Sequence, residues 1–385
     1  MRRGAAAAIL LAAALTLSGC GTSMELKELA IVMGLGVDAA ENGEYRVTAQ
    51  IARPALAKED GGDGGEAYFN VTETGMAVFS ALRELMNMFS RKMYTQQCDV
   101  LIIGEEAARR GVSDLLEYFL RNVESRMTMP LMIARGTALE VFEQTTYLEP
   151  MPAIQLSKMA HNQRYTGLTT SMTVFEFLCD LTSESLQPTA PIVELFTDDA
   201  GMTKARIAGT AIFKEGRMVG EFDSQEVYGL LLVNNQLHSG VMQITGLDGL
   251  IELEIMRCES RVTPVVEGDT VSMRIDISVE CNLVSTTSRV NINRVEKERE
   301  MERLAREEIL SRVRSALEAA MALDSDVFGF GQRIYRRYPA LYGRIEAGDG
   351  GWDGVFRTMR VETSANVSVS SDDATLWPVA DGGGE

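Results

Sequence analysis

The spacing of apolar positions divides the chain into a short opening run and two halves of different rhythm. After Arg2 and Arg3, Gly4 to Leu17 is an unbroken stretch of small and apolar residues. Residues 30–38 then predict a strand, Asn42-Gly43 a hairpin turn, and residues 45–52 an alternating return strand that Pro54 ends. Residues 61–65 form a glycine-rich loop. Thr74 is the expected cap of a helix with Val78, Phe79, Leu82, Leu85, Met86 and Phe89 on its apolar side. Short buried strands are expected at 100–103 and 131–134. Helices should open at Gly104, at Ser113 or Asp114 with Leu115, Leu116, Phe119 and Leu120 inward, and at Thr137. Further helices are expected near 153–163 and 174–181, and a strand at 189–196. Alternating strands and helices predict an α/β N-terminal domain with a mixed sheet.

The second half changes character. Residues 205–213 predict a strand, Glu215-Gly216 a turn, and Asp223 or Ser224 a helix start through Tyr228, Leu231 and Leu232. Residues 250–266 are extended. Val271, Met273, Ile275, Ile277, Val279, Cys281 and Leu283 alternate strictly with polar residues, which is a strand with one buried and one wet face. A long helix over 293–323 carries Leu304, Val313, Leu317 and Met321 as its core stripe. Residues 324–331 end it, and residues 356–369 supply a last strand or two. The expectation is an α+β domain with an antiparallel sheet and one long helix. The division is therefore 1–19, a signal peptide; 20–200, the α/β domain; 201–370, the α+β domain; and 371–385, a flexible acidic tail. Residues 201–247 are an alternative small middle domain.

Composition narrows the function. Fifty-five acidic residues against 37 basic ones give a formal charge of -18. Such a body does not seek nucleic acid or anionic lipid by charge. No later apolar run is long enough to span a bilayer. Cys98, Cys179, Cys258 and Cys281 lack metal-ligand spacing and are expected as buried free thiols, with Cys258 and Cys281 on adjacent strands as the possible exception. Residues 34–39 half-match a dinucleotide fingerprint, but a turn and a strand follow where the motif needs a helix. His161 and His238 lie in different halves, without a nucleophile-elbow pattern, and are expected at the surface. Arg121 and Glu124 are one turn apart and can pair beside Arg126. No catalytic residue, metal site or cofactor is expected.

The opening run has the layout of an export signal and is shorter than the about 18 residues of a comfortable membrane span. Leu17-Ser18-Gly19-Cys20 resembles the lipobox of bacterial lipoproteins. The resemblance implies lipidation at Cys20, whose thiolate is the nucleophile that a lipid transferase alkylates. Two or three acyl chains on one residue anchor stably, where one binds only marginally. The alternative is an ordinary cleaved signal with an incidental Cys20.

A longer resemblance runs through the mature chain. Glu25, Leu26, Leu29, Ala30, Ile31, Val32, Gly34, Gly36 and Asp38 stand at fixed distances from Cys20, and Tyr45, Val47 and Gln50 follow. Ile102-Ile103-Gly104-Glu105, then Arg121, Asn122, Glu124 and Arg126, come next. Gly209, Ala211, Phe213, Lys214 and Gly220, and finally Asp326, Phe328, Gly329, Gly331 and Pro339, complete the set. In this order they resemble the Ger(x)C family, the lipoprotein C subunits of spore germinant receptors. Gly21-Thr22 replaces the family's Trp-Asp after the lipidated cysteine. The resemblance implies a non-enzymatic subunit on the outer face of the spore inner membrane. It would be held to the lipid bilayer by Cys20 and assembled with two integral membrane subunits that respond to small germinants. A solute-binding lipoprotein of a transport system and an envelope-acting lipoprotein enzyme are the alternatives.

Overall fold

The computed structural model describes residues 25–53, 67–122, 125–163, 166–288 and 295–370. The signal segment with its lipobox, Cys20, the 61–65 loop, Glu124 and the 371–385 tail lie outside the described residues. The described strands form two sheets, one of nine strands and one of four.

The first sheet begins with the expected hairpin. β1 (Leu29–Ala39) and β2 (Tyr45–Ala52) pair antiparallel, and Asn42 and Gly43 in the turn have φ of 56° and 82°. β3 (Tyr68–Gly75) adds antiparallel to β2 and contains Thr74 opposite Arg46. The expected Thr74 cap is therefore corrected. α1 (Val78–Asn87) starts after Ala77, whose N–H donates to Ser80 Oγ at 3.1 Å. Val71, Thr72 and Thr74 suit a pleated strand, and a continuous ladder outweighs a cap worth ~1 kcal/mol. β4 (Lys92–Tyr94) is a short parallel partner for the start of β1.

β5 (Val100–Gly104), β6 (Leu131–Ala134) and β7 (Thr189–Thr197) extend the sheet in parallel from β1. Between β5 and β6 come α2 (Glu105–Arg110) and α3 (Ser113–Arg121). Between β6 and β7 come α4 (Ala138–Glu143), α5 (Pro152–Asn162) and α6 (Val174–Leu181). Thr137 and Thr173 cap α4 and α6 through reciprocal bonds with Glu140 and Glu176. Helices cover both faces of the sheet. Leu101 and Ile103 enter the core shared with α1, α3 and α6, while Val100 and Ile102 enter the one under α4 and α5. Leu120, expected inward on α3, is exposed instead.

β8 (Thr203–Lys214) and β9 (Arg217–Phe222) close this sheet antiparallel, in the order β3-β2-β1-β5-β6-β7-β8-β9. The sheet therefore runs through the expected division at residue 200, and residues 201–247 are shared between the two sheets.

The second sheet follows α7 (Ser224–Val233), whose start Asp223 caps by accepting from Gln225 and Glu226 N–H at 2.8 and 2.9 Å. β10 (Gly240–Gly246), β11 (Gly249–Glu267) and β12 (Thr270–Thr286) are antiparallel neighbours. Core positions 271 to 281 of β12 alternate as the sequence predicts. α8 (Val295–Ala322) crosses this sheet with Val313 and Leu317 buried, and Leu304 and Met321 half-buried against the same core. Three short helices follow: α9 (Phe330–Arg337), α10 (Pro339–Glu346) and α11 (Gly351–Thr358). Phe356, expected in a strand, sits in α11 one turn from Trp352, and both are buried. Glycines at 348, 350, 351 and 354 mask that helix in the sequence. β13 (Arg360–Ser370) then pairs with β12 in parallel. The antiparallel expectation thus holds for β10–β12, and β13 makes the sheet mixed. A parallel partner requires a crossover connection, which α8–α11 provide.

A fragment of residues 203–370 carries β8 without its partner β7. We expect it to lack the near-ultraviolet circular dichroism of fixed packing. A native-like spectrum with a sharp thermal transition would show that β8 does not need the first sheet.

Candidate functional site at the sheet junction

The glycines of β1 make room for helices. A Cβ on Gly34 would stand 2.8 Å from the Phe142 ring and 2.9 Å from Ala153 Cβ. One on Gly36 would stand 2.9 Å from Ala138 Cβ. Only bare backbone lets α4 and α5 lie this close to the strand. Asp38, at the end of β1, is buried and accepts from the Ala138 and Leu139 N–H groups at 2.7 and 3.2 Å. Its carboxylate thus satisfies the open start of α4. Burial pushes the Asp38 pKa up, opposed by those two N–H groups and by Arg46. Gly104 belongs to the same cluster, because a Cβ there would overlap Asp38 Oδ1. Gln50 bonds both helices: its Oε1 accepts from Ala153 N of α5 at 2.9 Å, and its Nε2 donates to Phe142 O of α4 at 3.2 Å.

A second cluster joins the two sheets. Gly209 has φ +81°, and a Cβ there would be 2.6 Å from Phe222 O, so β8 bends where β9 approaches. Phe213 is fully buried edge-on to Phe177, with 5.0 Å between ring centroids. Lys214 bridges Asp324 and Asp353, the latter at 2.7 Å. Burial opposes the Lys214 charge, but the two carboxylates outweigh it and raise its pKa.

Asp326 is the centre of this cluster. Its Oδ1 accepts from Phe330 N at 3.0 Å, and its Oδ2 from Gly331 N at 2.8 Å and Trp352 Nε1 at 3.1 Å. One carboxylate thereby starts α9 and holds α11 against it. Burial drives its pKa up to about 6, against those three donors. Phe328 stacks on Phe330 at 5.2 Å. Gly329, at φ +66°, takes the left-handed turn into α9. Gly331 has no such constraint; a Cβ there would meet Trp352 at 2.6 Å and Ser185 Cβ at 2.7 Å.

The loop between α6 and β7 docks on this motif. Gln187 N donates to Asp326 O at 3.1 Å, Gln332 Nε2 to Ser183 Oγ at 3.0 Å, and Tyr342 OH to Glu184 O at 3.3 Å. Ser325 Oγ donates to Phe213 O at 2.6 Å. Trp352, Asp353 and the 183–187 loop carry no local sequence signal for this role, since the cluster assembles only through space.

The remaining candidates stand apart. Glu25 and Leu26 are exposed, and Lys27 pairs with Glu25 at 2.6 Å. Arg121 pairs with Glu117 at 2.7 Å within α3, and its expected partner Glu124 lies outside the described residues. Arg126 pairs with Asp99 at 3.0 Å. Both histidines are exposed, and His161 Nδ1 lies 2.7 Å from Ser157 O in its own helix. Cys98 and Cys281 are buried free thiols, Cys258 is half-buried and free, and Cys179 is exposed, contrary to expectation. Cys258 lies opposite Val279 and Cys281 opposite Ile255, so the two are diagonal neighbours. Among the described residues no group of His, Cys, Asp and Glu is arranged to hold a metal ion.

Both motif clusters coincide with regions matched by family models. The model "Spore germination protein N-terminal domain" matches residues 22–195, and "Spore germination B3/ GerAC like, C-terminal" matches residues 208–372. The chain belongs to the Ger(x)C family. Similar proteins from Bacillus subtilis (strain 168) include "Putative spore germination protein YfkR", 24% identical over 365 residues and 92% of each chain. "Spore germination protein KC" is 22% identical over 90% of each chain. "Spore germination protein B3" is 25% identical over 69% of this chain and 71% of its own. The crystal structure of the GerBC protein shares the Ger(x)C fold, with a TM-score of 0.54 and 19% identity over 87% of this chain and 96% of that one. This Ger(x)C protein has a role in spore germination.

Asp326 gives two expectations. Asp326→Ala leaves three buried donors unpaired and should cost at least about 3 kcal/mol in chemical denaturation, at 1–3 kcal/mol for each unsatisfied group. The pH dependence has a definite sign. Between about pH 4, the ordinary carboxylate value, and about pH 6, the folded chain holds a proton on Asp326 that the unfolded chain has lost. Stability from this group therefore falls as pH rises through that window, by on the order of 3 kcal/mol at about 1.4 kcal/mol per unit. Asp326→Asn should remove that slope; an unchanged slope in urea titrations would refute the assignment. The two glycines separate by cause in thermal melts. Gly329→Asn should be mild, since Asn tolerates the left-handed region. Gly331→Ala should destabilise by about 1–3 kcal/mol through overpacking.

Proposed function

We propose that this Ger(x)C protein is the lipid-anchored C subunit of a spore germinant receptor. It stands on the outer face of the inner membrane through acylated Cys20 and assembles with two integral membrane subunits. The observation that carries the reading is family membership over both halves of the chain, downstream of a lipobox at residues 17–20. The welded junction supports a scaffold role, because a body whose halves share a sheet and a buried carboxylate transmits force as one piece. A solute-binding lipoprotein needs two similar lobes around a cleft. Here a nine-stranded sheet flanked by helices is followed by a four-stranded sheet of different topology. The subunit acts by holding a complex together, not by covalent chemistry.

Three experiments test the reading. Cys20→Ala should move the chain from the detergent to the aqueous phase in a partition assay, and detergent partitioning of the processed variant would reject the anchor. Deleting the gene should abolish the response to one class of nutrient and spare non-nutrient triggers. His161→Asn with His238→Asn should leave germination rate and subunit abundance within about twofold of wild type, as expected for surface substitutions. Loss of germination at normal abundance would point to chemistry instead.

A further inference from the structure

The apolar side of α1 is wider than the core requires. Val78, Leu82 and Leu85 are buried, whereas Phe79 is 53% and Met86 37% exposed. Positions 79, 83 and 86 fall on one helix face. They line a groove of about 390 Å³ whose other walls include Met93 and Lys92 of β4 and Tyr118 of α3. The Arg83 guanidinium lies over the Phe79 ring, 5.0 Å from its centroid. Among the described residues the lining has two charged side chains, Arg83 and Lys92, both basic, in a chain with 55 acidic residues against 37 basic ones. Arg91, also exposed, precedes Lys92.

The groove sits where the chain enters the fold. Lys92 and Met93 are register partners of Leu29 and Ala30 at the start of β1. Leu29 is nine positions after Cys20, a length that reaches about 30 Å at full extension. A lipid on Cys20 therefore keeps this groove within that distance of the bilayer surface.

We infer that the groove is a second membrane contact that seats on an anionic phospholipid surface, with Phe79 and Met86 in the interface and Arg83 and Arg91 on phosphates. The inference rests on the anchoring proposed above. Cations beside exposed apolar side chains are the chemistry of interfacial binding. The net charge of the body opposes approach to an anionic surface, so the contact works only once the tether has raised its effective concentration. It fixes which face of the subunit looks at the membrane.

Photocrosslinking in spore membranes tests this with the full-length chain. Benzoylphenylalanine replaces Phe79, and adducts are identified by mass spectrometry. A phospholipid adduct is expected at position 79, falling at least fivefold when Arg83→Glu and Arg91→Glu are added. The same probe at Val241, exposed on β10, should give little adduct. Equal yield at Val241, a protein adduct at position 79, or no adduct from a chain that partitions into detergent would overturn the groove and leave the Cys20 anchor standing. Aqueous partitioning without an adduct would reject the anchor, and this inference with it.

Discussion

Strand β8 must satisfy two cores at once. Ala211 and Phe213 belong to the core of the first sheet, and Ile212 between them belongs to the core built around α7 and α8. Successive residues of a strand point to opposite faces, so a slip of one residue would exchange all three. The register of β8 is therefore the condition for everything at the junction. It sets where Lys214 meets Asp324 and Asp353, and where the Phe213 carbonyl meets Ser325. Bulges between Pro191 and Val193 and between Ile212 and Phe213 adjust the strand on each side. Because β8 pairs with β7 while facing α7, neither half can be removed without stripping a face from the other.

The family motifs become intelligible in this light. Asp38 and Asp326 occupy equivalent physical roles in different halves. Each is a carboxylate taken out of water and compensated by the free N–H groups of a helix start. Their neighbouring glycines, at 36, 104 and 331, keep space for close backbone approach or for a ring. Such residues fix where helices begin and how layers meet.

Much of the fold was legible in the sequence, and the failures have physical causes. Strands with strict alternation, such as β2 and β12, and capped helices such as α4 and α6 announce themselves, because burial on one face and a Thr-x-x-Glu box are local facts. β3 was hidden because its pairing with β2 is what stabilises it. The helix at Trp352 was hidden by glycines, and the parallel partnering of β13 depends on a crossover that no local pattern encodes. The site was legible only in part. Asp326 and its glycines stand together in the chain, but Trp352 and the 183–187 loop reach them from a distance. Phe79 and Met86 share the spacing of their buried neighbours, and nothing local marks them as the exposed edge of that stripe. Net charge likewise describes the whole body and is silent about a cationic lining of two side chains.

The parallel pairing of β13 on β12 also sets an order of events. Ser364 meets Asp276 across 88 residues of chain, which hold all of α8 through α11. A contact so distant forms slowly, because the intervening loop must be closed before the pairing rewards it. Until the last strand arrives, the long β12 edge stands open, ready to pair with any other extended segment. The chain must be made through residue 370 before that edge is covered. The vulnerable interval in folding is the one just before this strand docks. Chain ends lost in that region would leave a sticky ribbon, not a smaller folded protein.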